Sequence, residues 1–505
     1  MLMEEIIRIQ KMVKSKIVAT IGPATSSVEK LKELAQAGVD VFRLNFSHAS
    51  KEGTEMQELF ECIRQNTPEI AILCDIQGPK IRIGKMAEPV ILKYSEKFYL
   101  YEEDRIGDQN GASISYKGFY NDVNEGDSIF INDGLVRLQV KTKDPKKRKI
   151  ECVVVAGGPI SSKKGVNIPS GNLSTQNPTE KDIHDLKLIA KLNPEYLAAS
   201  FIANAKEVKK IRAILNNAGA SRIKIISKIE RPIAITNFDE ILEVSNGIMV
   251  ARGDLGVEIP AEEVPIRQKE MILKCNRAGK PVIVATQMLE SMINNPVPTR
   301  AEVNDVFNAV YDRSDAVMLS GETSIGKFPI KAVRYMDRII AKAEEHIPDI
   351  DPRSTDSDEP DMYEAVGHAV YELARVFRNV NFRGKIIMFT RGGKSPRKAA
   401  KYRPEFPIYA ITHNPRTARQ LNLVWGVQSV FIPTLKMEDW DSEEIMQYGI
   451  QKLVEWGILE MKEHVICTVP SRISPGKCSV IGLYYVEDIL NKIKLKPSHY
   501  SPEWN

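Results

Sequence analysis

Apolar residues in the first two thirds of the chain come in short continuous runs, each closed by small or polar residues and followed by a stretch with helical spacing. The runs are KIVATIG (16–22), VDVFRLNFS (39–47), IAILCDIQG (70–78), YLAASFI (196–202), IKIISKIE (223–230), GIMVARGD (247–254), PVIVATQM (281–288) and DAVMLSGE (315–322). A continuous apolar run indicates a strand covered on both faces, and intervening helices such as SVEKLKELAQAG and NAKEVKKIRAILNNAG indicate parallel pairing. Eight such units make a (β/α)8 TIM barrel, whose chemistry sits at the C-terminal ends of the strands. Those ends carry Arg43, Asn45, Asp75, Lys228, Glu230, Asp254, Thr286 and Glu322, so polar side chains converge on one rim.

The rhythm breaks between the third and fourth runs. From Lys85 to about Gly165, short alternating stretches (FYLYEE, DSIFIND, VRLQVKT, IECVVVAG) are separated by Gly and Asn/Asp turns, which predicts an all-β insertion. Its basic run KTKDPKKRK reads as a solvated hairpin turn. After the eighth unit, DPRSTDSDEPD (351–361) is acidic and nearly free of apolar residues, as a linker or exposed turn would be. Beyond it MYEAVGHAVYELARVF and KAAKYR read as helices, and KIIMFT, PIYAIT, VICTVP and SVIGLYYV as strands. The expected α/β organisation is a barrel in two parts, 1–84 and 166–350, an inserted β-barrel lid domain at 85–165, and a C-terminal α/β regulatory domain at 351–505.

A length of 505 residues suits about three domains. The 70 Lys and Arg against 66 Asp and Glu leave a net charge of +4, which gives no global attraction for nucleic acid, so any anion site is local. Cys62, Cys74, Cys152, Cys275, Cys467 and Cys478 show no C-x-x-C spacing, which fits core thiols in a reducing compartment and carries no zinc signature. No apolar run approaches the ~20 residues of a membrane span, and Glu4 and Glu5 stand where a secretory signal would be basic. A cytoplasmic protein without a membrane partner is expected.

In SKIE, Lys228 and Glu230 lie two apart, so in extended backbone they leave the same face. Neighbouring strands lie ~4.8 Å apart, close enough for Glu230 and Asp254 to grip one cation, and oxygen ligands without His or Cys favour Mg²⁺ or Mn²⁺. The competing reading is an internal Lys–Glu salt bridge on the rim. Arg43, Asn45 and Ser47 alternate in VFRLNFSH, predicting a phosphate grip on one face, with Asp75 and Arg82 nearby. Thr286 offers a hydroxyl over the mouth or merely closes its strand. His48 is placed to touch a nucleotide or to lie on the surface, and Lys164 to lend a charge from a closing lid or to sit in solvent. In TRGGKS, residues Thr390, Arg391, Gly392, Gly393, Lys394 and Ser395 form a glycine turn between strand and helix, an anion cradle or a plain helix cap that lacks the full Walker spacing.

The motifs KIVATIGPA, RLNFSH, QGPKIR, KGVNIP, SKIE, GIMVARGDLGVEIP, VATQMLESM and MLSGETSIGKFP together resemble those of the pyruvate kinase family, in its order and over nearly the whole chain. The resemblance implies phosphoryl transfer from phosphoenolpyruvate to ADP, giving pyruvate and ATP in the last step of glycolysis, in a homotetramer with a mobile lid and a regulatory last domain. It implies that Lys228 stabilises charge on the moving phosphoryl group, that Glu230 and Asp254 hold Mg²⁺, and that Gly253, Asp254 and Thr286 surround the substrate carboxylate. It places Arg43 on phosphate, Arg82, Lys164, Asn45 and His48 on the nucleotide side, and Ser320 and Glu322 in a proton-relay region.

Two departures stand out. Potassium-requiring members carry glutamate after the GP of the third-strand motif, where this chain has Lys80 in DIQGPKIR. An ammonium in the pocket of Asn45, Ser47 and Asp75 would take the space and charge of K⁺, so the ion is expected to be dispensable. TRGGKS resembles the effector-phosphate loop, yet VPSRISPGKCS lacks the tryptophan loop of fructose-bisphosphate-activated members, leaving a phosphorylated effector of unread identity. Two rivals remain at this level: a lyase of the related phosphoenolpyruvate/pyruvate barrel type, which needs no nucleotide-side charges, and a catalytically dead metabolite sensor.

Overall fold

The computed structural model describes residues 13–50, 52–169, 173–348, 361–379, 384–470 and 479–492. Three strands, β1 (Lys16–Thr20), β2 (Val41–Asn45) and β3 (Ala71–Ile76), precede the insertion. The insertion holds β4 (Val90–Leu92), β5 (Lys97–Tyr101), β6 (Gly111–Ser113), β7 (Ser128–Ile131), β8 (Val136–Asp144), β9 (Lys149–Ala156), β10 (Gly158–Ile160) and β11 (Val166–Asn167). The chain then forms β12 (Tyr196–Ala199), β13 (Lys224–Ile229), β14 (Gly247–Ala251), β15 (Val282–Ala285) and β16 (Ala316–Leu319). The first three and last five of these close a barrel in the order β1-β16-β15-β14-β13-β12-β3-β2, every pair parallel.

The continuous apolar runs are explained by burial on both sides. Val18, Val41, Leu73, Ile226, Met249 and Ile283 fill the barrel interior, while Ile17, Phe42, Ile72, Ile225, Val250 and Val284 pack outward against the helices. The helices begin on caps: Ser27 accepts from the Lys30 amide, and Thr179 with Asp182 and Thr299 with Glu302 form reciprocal capping boxes.

The chain leaves the barrel at Gly78, whose φ of +66° and close approach to the Ser200 carbonyl, 2.8 Å from where a Cβ would stand, admit only glycine without strain. Outgoing and returning segments run side by side, with the Ile83 amide on the Lys164 carbonyl at 2.8 Å and the Val166 amide on the Ile81 carbonyl at 3.0 Å. The insertion is a six-stranded sheet, β11-β7-β8-β9-β5-β6, with a β10-β4 ribbon, around a core including Phe98, Leu100, Ile129 and Val154. The basic run forms the β8–β9 hairpin connection, where Asp144 accepts from the Lys146 and Lys147 amides at 3.0 and 3.2 Å, a turn in solvent.

The last domain carries β17 (Gly384–Phe389), β18 (Ile408–Thr412), β19 (Val427–Phe431), β20 (His464–Pro470) and β21 (Ser479–Tyr485), ordered β19-β18-β17-β20-β21, with β21 antiparallel. Helices include Met362–Asn379, Lys394–Lys401, Pro415–Leu421 and Ser442–Glu455. The half-polar edge strand VQSVF and the last two of those helices were not anticipated, although Ser442–Glu455 opens on a capping box of Asp441 and Glu444 and buries Ile445, Met446, Ile450 and Leu453. The acidic linker up to residue 360 and most of VPSRISPGKCS lie outside the described residues. The described cysteines are free thiols: Cys74, Cys152, Cys275 and Cys467 are buried and Cys62 is half-buried.

Barrel and last domain are joined through Glu195, fully buried at the start of β12. One oxygen takes Arg419 from the last domain at 2.8 Å; the other takes Arg64 and, at 2.9 Å, the Ile72 amide. Burial alone would push this carboxyl up, but the two guanidiniums hold it below the ordinary range.

Candidate active site

The side chains at the barrel rim are organised by Asp75, near the end of β3 and 1% exposed. Arg43 on β2 donates through Nε to its Oδ2 at 2.7 Å and through Nη1 to Thr20 of β1 at 3.0 Å. Lys228 on β13 lies 3.4 Å from Asp75 Oδ1 and 3.0 Å from Glu230 Oε1, and donates to Ser200 Oγ at 2.7 Å. Ser200 in turn donates to Asp75 at 3.1 Å. Two cations and two carboxylates thus neutralise one another in a desolvated cluster, where one left alone would be costly. Burial pushes the Asp75 carboxyl up, yet Lys228 and Arg43 hold it below its usual value. Burial likewise disfavours the Lys228 ammonium, but Asp75 and then Glu230 raise its pKa overall, so it stays charged.

Glu230, just past β13, is 1% exposed and accepts from the Phe201 amide at 2.6 Å. Burial and the neighbouring charge of Asp254 push its carboxyl up against the pull of Lys228. Among the described residues no cluster of three or more His, Cys, Asp and Glu is arranged to hold a metal. Glu230 and Asp254 remain as a pair of carboxylates acting on each other, an oxygen-only donor set that fits a hard cation taking its other ligands from water and substrate. The Lys228–Glu230 salt bridge, the competing reading of SKIE, is present as well.

Several expectations need correction. The β2 strand ends at Asn45, and Ser47 lies in a 3-10 turn (Phe46–His48) that Asn45 caps by accepting from the Ser47 amide at 3.1 Å. Alternation therefore stops at Asn45, and Ser47 does not continue the face of Arg43. Asp254 lies not on a strand end but in the first turn of the helix Arg252–Glu258, and Glu322 in the helix Gly321–Ser324. Lys80 does not enter the pocket of Asn45, Ser47 and Asp75; its ammonium sits 2.7 Å from Asp254 Oδ1 and 5.8 Å from the Phe201 ring centre. Asp75 already has Arg43, Lys228 and Ser200 on its oxygens, and Lys80 instead pairs directly with Asp254.

Thr286 is the first residue past β15, with φ of +69°, and Gln287 follows at +55°. Its hydroxyl donates to the Ala285 carbonyl at 2.6 Å and accepts from the Gly253 amide at 2.8 Å. Its carbonyl accepts from Arg252 Nη2 at 2.7 Å, and Arg252 is tied to Asp305 at 2.6 Å. The left-handed turn is thus held from two sides, the kind of strain that clusters at functional sites. Glu322 is fully buried and accepts from the Leu289 amide at 3.0 Å and the Ser320 amide at 2.7 Å. Burial pushes its carboxyl up. The Ser320 hydroxyl is buried with no partner among the described residues.

Arg82 and Lys164 lie on the paired stems of the insertion, Arg82 bridging to Gly165 and donating to the Lys163 carbonyl at 3.0 Å. The His48 side chain lies outside the described residues. The lid touches the barrel where Asn167 donates to Glu258 at 2.8 Å. In the last domain the Gly393 amide donates to Thr390 Oγ1 at 2.9 Å, Lys394 pairs with Asp361 at 2.8 Å, and Arg391 donates to the Met437 carbonyl at 2.8 Å. Gly392 and Ser395 complete that loop ahead of the helix Lys394–Lys401. Thr20, Ser200, Arg252 and Asp305 were not anticipated; Ser200 and Arg252 stand inside strand-end motifs, but nothing local marks their partners.

A family profile described as pyruvate kinase, barrel domain, matches residues 12–333, and one described as pyruvate kinase, alpha/beta domain, matches residues 364–482. The chain is 40% identical over 485 residues to a pyruvate kinase of Geobacillus stearothermophilus, covering 95% of this chain and 81% of that protein. It is 43% identical over 488 residues to pyruvate kinase 2 of Synechocystis sp., covering 95% and 80%. To a pyruvate kinase of Staphylococcus aureus it is 41% identical over 484 residues, covering 94% and 81%.

Proposed function

The chain belongs to the pyruvate kinase family, a phosphotransferase family, and from that premise we propose that it moves the phosphoryl group of phosphoenolpyruvate to ADP at this rim, using Mg²⁺ or Mn²⁺ and no K⁺. The observation that supports the site assignment is that Arg43 and Lys228 share the carboxylate of Asp75, which sets two cations side by side. The family membership removes the lyase alternative.

Glu230 and Asp254 would hold a divalent ion, which when bound would supply positive charge against the negative charge of the phosphoryl group and the enolate. Phosphoryl transfer asks for positioning and cationic stabilisation more than covalent chemistry. Arg43, fixed by Asp75 and Thr20, turns its remaining N–H groups to the phosphate. Lys228, kept charged by its carboxylates, stabilises negative charge as it passes from the phosphoryl group to the enolate. Gly253, Asp254 and Thr286 orient the substrate carboxylate. Ser320 and Glu322 serve proton delivery to the enolate carbon, the raised pKa of Glu322 favouring a held proton. Asn45, His48, Arg82 and Lys164 meet ADP, and closure of the lid excludes water. Lys80 supplies beside Asp254 the positive charge that K⁺ supplies in members with glutamate at that position. Thr390 to Ser395 form a loop for a phosphorylated effector, and the working form is a cytoplasmic homotetramer; among the described residues no helix is long and apolar enough to cross a membrane.

The test is an assay of ATP formation from phosphoenolpyruvate and ADP with Mg²⁺, with and without K⁺, on the wild type and Lys228→Met. We expect ADP-dependent turnover without K⁺ and a loss of at least ~100-fold in kcat for Lys228→Met, which folds but melts lower because Glu230 loses its cation. Normal turnover by that variant removes the lysine from the mechanism, and K⁺-dependent activity of the wild type overturns the reading of Lys80.

A further inference from the structure

The insertion leaves and re-enters the barrel over one short helix. Its two stems are joined where the Val166 amide donates to the Ile81 carbonyl at 3.0 Å. On the barrel side of that bond stand Lys80, which precedes Ile81, and Asn167, which follows Val166. Both reach the helix Arg252–Glu258: Lys80 pairs with Asp254 Oδ1 at 2.7 Å, and Asn167 Nδ2 donates to Glu258 Oε1 at 2.8 Å. Asp254 and Glu258 are four apart, so they share one helix face, where two like charges repel unless something answers them. Each stem presents a donor to one of them. A third contact comes from the turn between β7 and β8, where Val257 Cγ1 lies 3.6 Å from the position a Cβ on Gly134 would take.

The direction of Asn167 is fixed by its own strand. Val166 and Ile168 enter the core of the insertion, so by alternation Asn167 between them faces the other way, toward the barrel. Asn167 is 6% exposed, and a buried amide needs a partner; its donor goes to the barrel helix and not to its own sheet. Glu258 is half-buried, and a carboxylate accepting from an amide makes a charge-assisted bond, the stronger kind. A divalent ion at Asp254 competes with Lys80 for that carboxylate. The Asn167–Glu258 bond lies about one helical turn further on, outside that competition.

We propose that Asn167 and Glu258 are positioning residues: their bond ties the returning stem of the insertion to the last turn of the helix whose first turn carries Gly253 and Asp254, so that the lid and the substrate-carboxylate site move as one piece. The inference rests on the reading of the rim as the phosphoenolpyruvate site. Neither residue touches substrate; both act through Asp254 and through the Gly253 amide, which donates to the Thr286 hydroxyl at 2.8 Å and so carries any shift of the helix to the neighbouring strand end.

The experiment uses the full chain as wild type, Asn167→Ala, Asn167→Asp, and the double variant Asn167→Asp/Glu258→Gln, in which donor and acceptor trade places. Each is measured for kcat and KM, for melting temperature and, without substrates, for hydrogen exchange of the backbone amides of residues 252–259. Losing one charge-assisted bond should raise KM for phosphoenolpyruvate about tenfold in Asn167→Ala and further in Asn167→Asp, where two carboxylates meet, with kcat within about threefold. The helix amides should exchange about tenfold faster in both, and the double variant should bring KM and exchange back to within about threefold of wild type. A merely structural bond would lower the melting temperature and leave KM where it is. Unchanged KM in Asn167→Asp overturns the proposal, as does a double variant no better than Asn167→Asp. A wild type without turnover overturns the reading of the rim instead, and the amides of 252–259 then decide the clamp alone: equal exchange in wild type and every variant overturns it.

Discussion

Lys80→Met asks what an ammonium does on Asp254, one of the two carboxylates proposed to hold the divalent ion. In the wild type the lysine lies 2.7 Å from Asp254 Oδ1, the two side chains 24% and 23% exposed, so the pair is neither free in water nor fully desolvated. Exposed pairs contribute about 0.2–1 kcal/mol and charge-assisted bonds in drier sites about 1.5–3, which puts this one at roughly 1–1.5 kcal/mol. A divalent ion that takes Asp254 as a ligand must displace or outcompete that ammonium, so the same energy is set against metal binding. Removing it at nearly constant side-chain length should tighten metal binding by about 5- to 10-fold. The assay is titration of the substrate-free enzyme with Mn²⁺, reading free Mn²⁺ by electron paramagnetic resonance. In substrate turnover the same variant loses a positive charge near the phosphates, so its KM for phosphoenolpyruvate rises, and Lys80→Glu gains a response to K⁺. Unchanged or weaker Mn²⁺ binding in Lys80→Met refutes the competition, and no Mn²⁺ binding by either protein refutes the metal site itself.

Two further outcomes follow from the geometry. Arg252→Lys keeps the charge but not the fork that spans the Thr286 carbonyl and Asp305, so the left-handed turn at Thr286 should loosen. We expect a fall of about tenfold or more in kcat/KM for phosphoenolpyruvate, mostly in KM, and an unchanged KM for ADP; equal losses for both substrates would point to general damage. Glu195→Gln strands Arg64 and Arg419 in the seam and should cost about 3–5 kcal/mol at pH 7 by denaturant unfolding. The Glu195 carboxyl is held below its ordinary value, so its stabilisation is full above the unfolded value of ~4.3 and is lost as pH falls through the folded one. The gap between variant and wild type should therefore close in acid; a gap that widens there contradicts the assignment.

Much of the architecture was legible before any coordinates. A strand buried on both faces must be apolar throughout, and helices between such strands force parallel pairing, so eight runs such as KIVATIG and PVIVATQM spelled out the barrel. Placing Arg43, Asp75, Lys228 and Glu230 at strand ends needed only the rule that the barrel's rim gathers them. Local pattern failed where an element ended: the turn after Asn45 removed Ser47 from its face, and Asp254 and Glu322 moved onto short helices. Periodicity reports a side chain's direction only while its own strand lasts. The choice of partners was decided elsewhere. Lys80 lies on Asp254 while Arg43, Lys228 and Ser200 occupy Asp75, and those residues come from β2, β13 and the turn after β12. Glu195 and Arg419, 224 positions apart in the sequence, meet in a seam that only docking of the last domain creates. Sequence determined which chemical groups face the rim, because burial writes itself into local pattern; tertiary structure alone decided which charge each one answers, because electrostatic balance is settled among neighbours distant along the chain.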